Sequence, residues 1–249
     1  MAAIPGCGHS SSHSPLPGVS QWKEASSALR DSRQMVLVVT AGWDRLNGEM
    51  RRYQRGSGRE AWQRVGPAIA VVVGRNGLAW GRGLHGEAPD LGPIKKEGDG
   101  RAPAGLFALS RAFGYDEAPA GLKLPYNQAL ATTECVDDSK STHYNSVLDR
   151  SRVAHPDWLS SEQMKRSDEL YRWGVVVDHN TGKSVGGGGS CIFLHIWSGA
   201  NQGTAGCTAM APDHIRELLF WLDSAANPVL AQLPETEYRR LKDLWQLPD

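Results

Sequence analysis

The sequence predicts a mainly β chain, a twisted mixed sheet or sandwich with a few covering helices. Three observations carry this reading. Short β-branched runs recur along the chain, as at Met35–Thr40, Ala68–Val73 and Trp173–Val177. Turn formers are abundant, with 28 glycines and 14 prolines, and nine tryptophans supply aromatic surface. Stretches with the 3.6-residue apolar period of a helix are few.

Taken in order, residues 1–18 are a low-complexity Ser/Pro/His tail that favours no fold. Residues 20–33 fit a short helix, and Met35–Thr40 a buried strand. Asn47-Gly48 reads as a two-residue hairpin turn leading into a strand over 49–55. Residues 61–65 and 68–73 read as two further strands, and Asn76-Gly77 as a second turn before Leu78-Ala79-Trp80. The glycine-rich, charged residues 95–105 form a surface loop before a strand resumes at Leu106. From about 114 to 172 the periodicity is irregular and broken by prolines, as expected of an insertion or lid. Trp173–Asn180 is a strand running into a turn. In Cys191–Trp197 the alternation puts Cys191, Phe193, His195 and Trp197 on one face and three aliphatic residues on the other. Residues 212–222, apolar at 215, 218, 219 and 222, and residues 236–245 are helices whose apolar stripes pack on the sheet. No internal repeat is present.

Composition excludes some functions. Lys plus Arg and Asp plus Glu both number 27, a formal net charge of zero. That balance favours neither nucleic acid nor an anionic membrane as partner. No apolar run reaches the ~20 residues that span a bilayer, and no charged region followed by an apolar one marks an export signal. Ile4-Pro5-Gly6-Cys7 has the look of the end of a lipoprotein signal, which would make Cys7 an anchor. The four cysteines, at 7, 135, 191 and 207, form no CxxC pair. Reduced buried cysteines are the expectation, and Cys135 with Cys191 is the one disulfide to propose. Cys135, Asp137, Asp138, His143 and His155 have no metal-ligand spacing, so no metal and no cofactor are expected.

The chemistry is expected between His195 and Cys207. A histidine leaving a strand can meet a cysteine twelve positions later across the loop 198–203. Gly206 lets the backbone turn and frees amides for an oxyanion. A thiol with an ordinary pKa near ~8.5 needs a neighbouring imidazole to take its proton. His179 is read as a structural hydrogen-bonding group.

Gly189-Ser190-Cys191-Ile192-Phe193-Leu194-His195 followed by Thr204-Ala205-Gly206-Cys207-Thr208 resembles the signature of the L,D-transpeptidase catalytic-domain (YkuD-like) family, and Lys95–Phe107 resembles that family's K-x-E-G-D-G-x-T-P-x-G-x-F segment. The chain departs from the commoner S-H-G-C-x-R pattern, with Ala205 for the histidine, Ala209 for the arginine, and a longer His-to-Cys interval. The resemblance, over roughly residue 34 to the C-terminus, implies one catalytic domain over 19–249. It implies acyl transfer on peptidoglycan stem peptides by a monomer of the periplasm or cell envelope. Cys207, His195 and Gly206 would be catalytic, and Lys95, Asp99, Gly100, Arg101, Trp197 and Thr204 would hold substrate. The alternatives are an L,D-carboxypeptidase or endopeptidase with water as acceptor, and a non-catalytic wall-binding module.

Overall fold

The computed structural model describes residues 23–57, 60–86 and 91–249. The 1–18 tail and Cys7 therefore lie outside the described residues. The elements run α1 (Lys23–Arg30), β1 (Gln34–Thr40), β2 (Asn47–Gln54), β3 (Gln63–Val72), β4 (Leu78–Trp80), β5 (Ala102–Gly114), β6 (Tyr126–Gln128), β7 (Thr133–Val136), β8 (Val147–Asp149), β9 (Ser161–Gln163), β10 (Trp173–Val177), β11 (Phe193–Ile196), β12 (Thr208–Met210), α2 (Pro212–Trp221), β13 (Val229–Pro234) and α3 (Glu235–Trp245).

The fold is mainly β with a mixed sheet, as the sequence predicts. Its order is β10-β11-β12-β3-β2-β1-β13-β5, and β10 pairs in turn with β5. The sheet thus closes on itself, which removes the unpaired edges an open sheet presents. The 13-residue β5 makes the corner: residues 105–108 pair with β13, and residues 109–114 with β10. The seam between β12 and β3 is the thinnest, with Ala209 against Val72 its one register pair. The core holds Trp80, Phe107, Leu194 and Trp245, all at most 1% exposed. Of α2, the buried positions are Ile215, Leu218 and Leu219, followed by Leu222 just beyond its end.

Several local expectations are corrected. Asn47-Gly48 lies inside β2, with Gly48 opposite Thr40, and the chain reverses earlier, over residues 41–46. The bond from Thr40 Oγ1 to the Gly42 carbonyl (2.9 Å) starts that reversal, and the turn chemistry of Asn-Gly is not used. The two strands read at 61–65 and 68–73 are one, β3. Gly66, with φ +70°, absorbs a bulge against β2 instead of ending the strand. The loop read at 95–105 ends at Arg101, because Ala102–Ala104 pair with β4. The irregular stretch 114–172 carries a separate three-stranded sheet, β8-β7-β9.

The small sheet is fastened to the body beside β11. Cys135 on β7 is disulfide-bonded to Cys191, which corrects the expectation that both are reduced. Asn145 accepts from the Cys191 amide (2.9 Å) and donates to the carbonyls of His179 and Asn180 (2.8 and 2.9 Å). Cys191 has φ +55° and so leaves the predicted alternation. The strand starts at Phe193.

Candidate active site

Cys207 is 6% exposed and is the free cysteine among the described residues. It directly precedes β12, which runs parallel to β11 with Leu194 opposite Thr208 and His195 opposite Ala209. Continued by one residue, that register sets Cys207 against Phe193. The Phe193 amide donates to the Cys207 sulfur at 3.3 Å, and the thiol donates to the Cys191 carbonyl at 3.4 Å. Side chains alternate along both strands, so Cys207, Phe193 and His195 share a face. His195 is the diagonal neighbour of Cys207 across these two strands, and both line the same cleft.

The cysteine turn is held differently from the expectation. Gly206 donates its amide to Thr204 Oγ1 (3.1 Å), and that hydroxyl donates to the Cys207 carbonyl (2.6 Å). The Gly206 amide is therefore committed to Thr204 and is not free for an oxyanion. Space here is tight, since a Cβ would lie 3.2 Å from the Arg101 carbonyl oxygen. Thr204 is tied to the end of β3 by its amide to Val73 (3.0 Å) and by its carbonyl, which accepts from Arg75 (2.9 Å).

Burial dominates the electrostatics. It pushes the Cys207 thiol up to about 12. The Glu162 charge adds to that rise, while the hydrogen bond from the Phe193 amide and the Lys95 charge oppose it. Burial lowers His195 to about 4 against the pull of the Ile196 and Leu170 carbonyls. The resting pair is therefore a neutral thiol and a neutral imidazole. Nδ1 of His195 lies 2.7 Å from the Ile196 carbonyl oxygen. A carbonyl only accepts, so Nδ1 carries the hydrogen and Nε2 keeps the lone pair.

Cys207 and His195 open into a cleft of about 570 Å³. Lys95, Thr204 and Gly206 also line it, joined by Glu97 and Gly98 of the same loop. Asp99, Gly100, Arg101 and Trp197 are not among its lining residues. Asp99 stands behind Lys95, paired at 2.6 Å, and caps the amides of Lys96 (2.8 Å) and Arg101 (2.9 Å). Gly100 has φ +69° and lies against Arg75 and Asn76. The Arg101 guanidinium turns away to Asp44 (2.7 Å) and the Leu78 carbonyl (2.9 Å). The half-buried Trp197 donates its amide to Met210 at 2.9 Å.

The far wall holds residues the sequence did not single out: Tyr171, Glu162 and Arg166. They come from the irregular stretch, where no spacing marks them. The Tyr171 ring meets the His195 ring edge to face at 5.0 Å. Its hydroxyl donates to Glu162 Oε1 at 2.6 Å. Arg166 is gripped by Asp168 through Nε (2.9 Å) and Nη2 (2.8 Å).

The other histidines are engaged elsewhere. His179 accepts from the Arg82 amide at Nδ1 (3.2 Å), and its Nε2 lies 3.0 Å from the Gly188 carbonyl. His85 is fully buried against Gly105 and Phe107. Cys135 is committed to its disulfide and His143 meets Trp158 edge to face at 5.3 Å. Among the described residues no three His, Cys, Asp or Glu side chains are grouped to hold a metal, and no helix is long and apolar enough to cross a membrane.

Comparison with curated proteins and with solved structures gives no match. A family model does match, that of the L,D-transpeptidase catalytic domain (YkuD), over residues 46–230. That span takes in the 95–107 segment, the small sheet, β11 and the cysteine turn. The chain belongs to the L,D-transpeptidase catalytic-domain family.

Proposed function

We propose that the protein is a cysteine acyltransferase acting on peptidoglycan stem peptides. The observation that carries this reading is the position of Cys207: a free thiol in a cleft wall, on one sheet face with a histidine whose Nε2 lone pair is available. His195 takes the thiol proton as the sulfur attacks the carbonyl carbon after the L-centre of the third stem residue. The thioacyl bond forms as the amide breaks, and the amine leaves as D-alanine with the proton returned by His195. An amine of a second stem then attacks the thioester, a new amide forms, and the thiol is regained. No cofactor enters these steps. The Cys135–Cys191 disulfide supports an oxidising compartment, hence the cell envelope.

The test is product analysis on a purified disaccharide tetrapeptide. A cross-linked dimer supports transfer to an amine, a tripeptide with free D-alanine supports transfer to water, and no product overturns the enzyme reading in favour of a wall-binding module. Cys207→Ala should abolish turnover with the fold intact. His195→Ala should slow acylation by roughly 10² to 10⁴-fold, the usual worth of a positioned general base. Acylation of His195→Ala at the wild-type rate, followed by mass spectrometry with a carbapenem, would remove His195 from the mechanism.

A further inference from the structure

Two permanently cationic side chains stand among the residues lining the cleft, Lys95 and Arg166. Asp168 grips Arg166 through two of its nitrogens, and the Lys95 ammonium is placed differently. The Lys95 amide donates to the Trp80 carbonyl at 2.9 Å, and its methylenes run past Gly189, where a Cβ would lie 3.1 Å from Cγ and Cε. That path buries the side chain to 4% exposure and delivers Nζ to the cysteine turn. A Cβ on Gly206, the residue before Cys207, would lie 3.9 Å from Nζ. The ammonium therefore borders the space that a side chain at 206 would fill.

An ammonium carries three hydrogens. The Lys96 carbonyl (2.7 Å) and Asp99 Oδ1 (2.6 Å) take two, and among the described residues the third has no acceptor. Asp99 also accepts from the amides of Lys96 and Arg101, so its charge is shared among three donors. The Gly206 amide, by contrast, is spent on Thr204, which leaves the turn one donor short for an oxyanion.

We propose that Lys95 is an oxyanion donor of this site: its third N–H bonds the oxygen that becomes negative when Cys207 attacks a carbonyl. The proposal rests on the reading of Cys207 as an acyl-transfer nucleophile. In that step the sulfur–carbon bond forms, the thiol proton goes to His195, and the carbonyl π pair moves to oxygen. Lys95 keeps its proton and gives a hydrogen bond and a positive field. When the tetrahedral centre collapses, the pair returns to the carbonyl, and the leaving group departs with its bonding pair and the His195 proton. A fixed, buried cation does more for that oxygen than a solvated one, because no water must reorganise as the charge grows. Lys95 touches the reacting atoms and is a catalytic residue, whereas Asp99, which holds Nζ in place, is a positioning residue.

The experiment compares three reagents on Cys207 of the full chain, each followed at the Cys207 peptide by mass spectrometry: a carbapenem, p-nitrophenyl acetate and iodoacetamide. The first two pass through an oxyanion. Iodoacetamide loses iodide from a saturated carbon and forms none. Lys95→Met should therefore slow both acylations by roughly 10²- to 10³-fold, the usual worth of one oxyanion donor, and alkylation by a few-fold at most. Because p-nitrophenyl acetate has no carboxylate, it separates an oxyanion donor from a group that holds a substrate carboxylate.

A loss with the carbapenem alone overturns the proposal, since Lys95 would then hold a carboxylate. Equal losses with all three reagents overturn it too, because they mark a damaged turn or a weaker thiolate, and so does no loss at all. Should Lys95→Met unfold, Lys95→Gln decides by the same ratio of acylation to alkylation, since it keeps an N–H donor without the charge. A wild-type protein that takes iodoacetamide but neither acylating agent removes this assignment together with the reading beneath it. Stem peptides separate the two: the predicted pattern without turnover leaves Lys95 in place and removes the substrate, whereas wild-type turnover in Lys95→Met does the reverse.

Discussion

The Thr204 hydroxyl accepts from the Gly206 amide and donates to the Cys207 carbonyl, so a single side chain fixes the backbone that aims the thiol. Gly206 and Cys207 are both buried, and neither group finds water if that hydroxyl is removed. Thr204→Val, which keeps the shape, should therefore lower stability by about 1–3 kcal/mol, the cost of buried polar groups left unpaired. It should also slow acylation of Cys207. A thermal midpoint and a labelling rate both at wild-type values would show that the turn holds its shape without this hydroxyl. At this scale the sequence is most legible where local chemistry sets the role. Cys207, His195 and Gly206 are named by a motif whose parts lie within thirteen residues. Tyr171, Glu162 and Arg166 carry no such mark, because only the fold of an irregular stretch brings them to the thiol. Arg101 and Asp99 stand in the right segment, yet they brace the loop from behind, since their partners are Asp44 and Lys95.

Among the elements, the small sheet β7–β9 has the least core of its own and depends on its attachments. Its disulfide, Cys135–Cys191, spans 56 residues, a loop whose closure is worth about 4 kcal/mol in the chain-entropy account. Cys191 also offers its carbonyl to the Cys207 thiol, so the bridge bears on the site as well as on the sheet. Reduction, or the double substitution Cys135→Ser with Cys191→Ser, should lower the unfolding midpoint and raise hydrogen exchange over 133–163 before the closed sheet is affected. Equal exchange in the oxidised and reduced proteins would show that Asn145 and the packing alone hold the small sheet. Helix α2 is legible because burial of one face is written into every few residues, and β1 because the run Met35–Thr40 is rich in β-branched residues. The strand β13, central and parallel to β1, is not: its six residues are all buried and give no alternation to read. The three-residue strands of the small sheet are likewise too short to show a period.

For the whole molecule, the closed sheet and the segments packed on it bury three histidines. His85, His179 and His195 are between 0% and 6% exposed. Burial lowers their pKa values from 6.5 to about 4, 3 and 4 respectively. A histidine depressed in the folded state stays neutral there while the unfolded chain takes up its proton. Stability therefore rises with pH wherever the unfolded state binds more protons, and it is lost as pH falls from the unfolded value toward the folded one. The loss is absent above about pH 7 and accumulates between 6.5 and 4, the window set by those shifts. At about 1.4 kcal/mol per pKa unit, each histidine gives up roughly 3 kcal/mol or more, and the three together lose on the order of the 5–15 kcal/mol that holds a domain folded. Asp157, held to about 2 by Ser141 and Thr142, acts below that window and withdraws its contribution only as pH falls below 3.8. Thermal unfolding measured from about pH 8 down to 4 should thus show a level midpoint above neutrality and a steep fall between about 6.5 and 4, with unfolding there taking up nearly three protons. Because His195 belongs to the site while His85 and His179 belong to the frame, His195→Ala should remove close to one of those protons. A midpoint that stays level down to about pH 4.5 would mean that these imidazoles take up protons in the folded chain as readily as in the unfolded one, so that burial does not hold His195 neutral in that window.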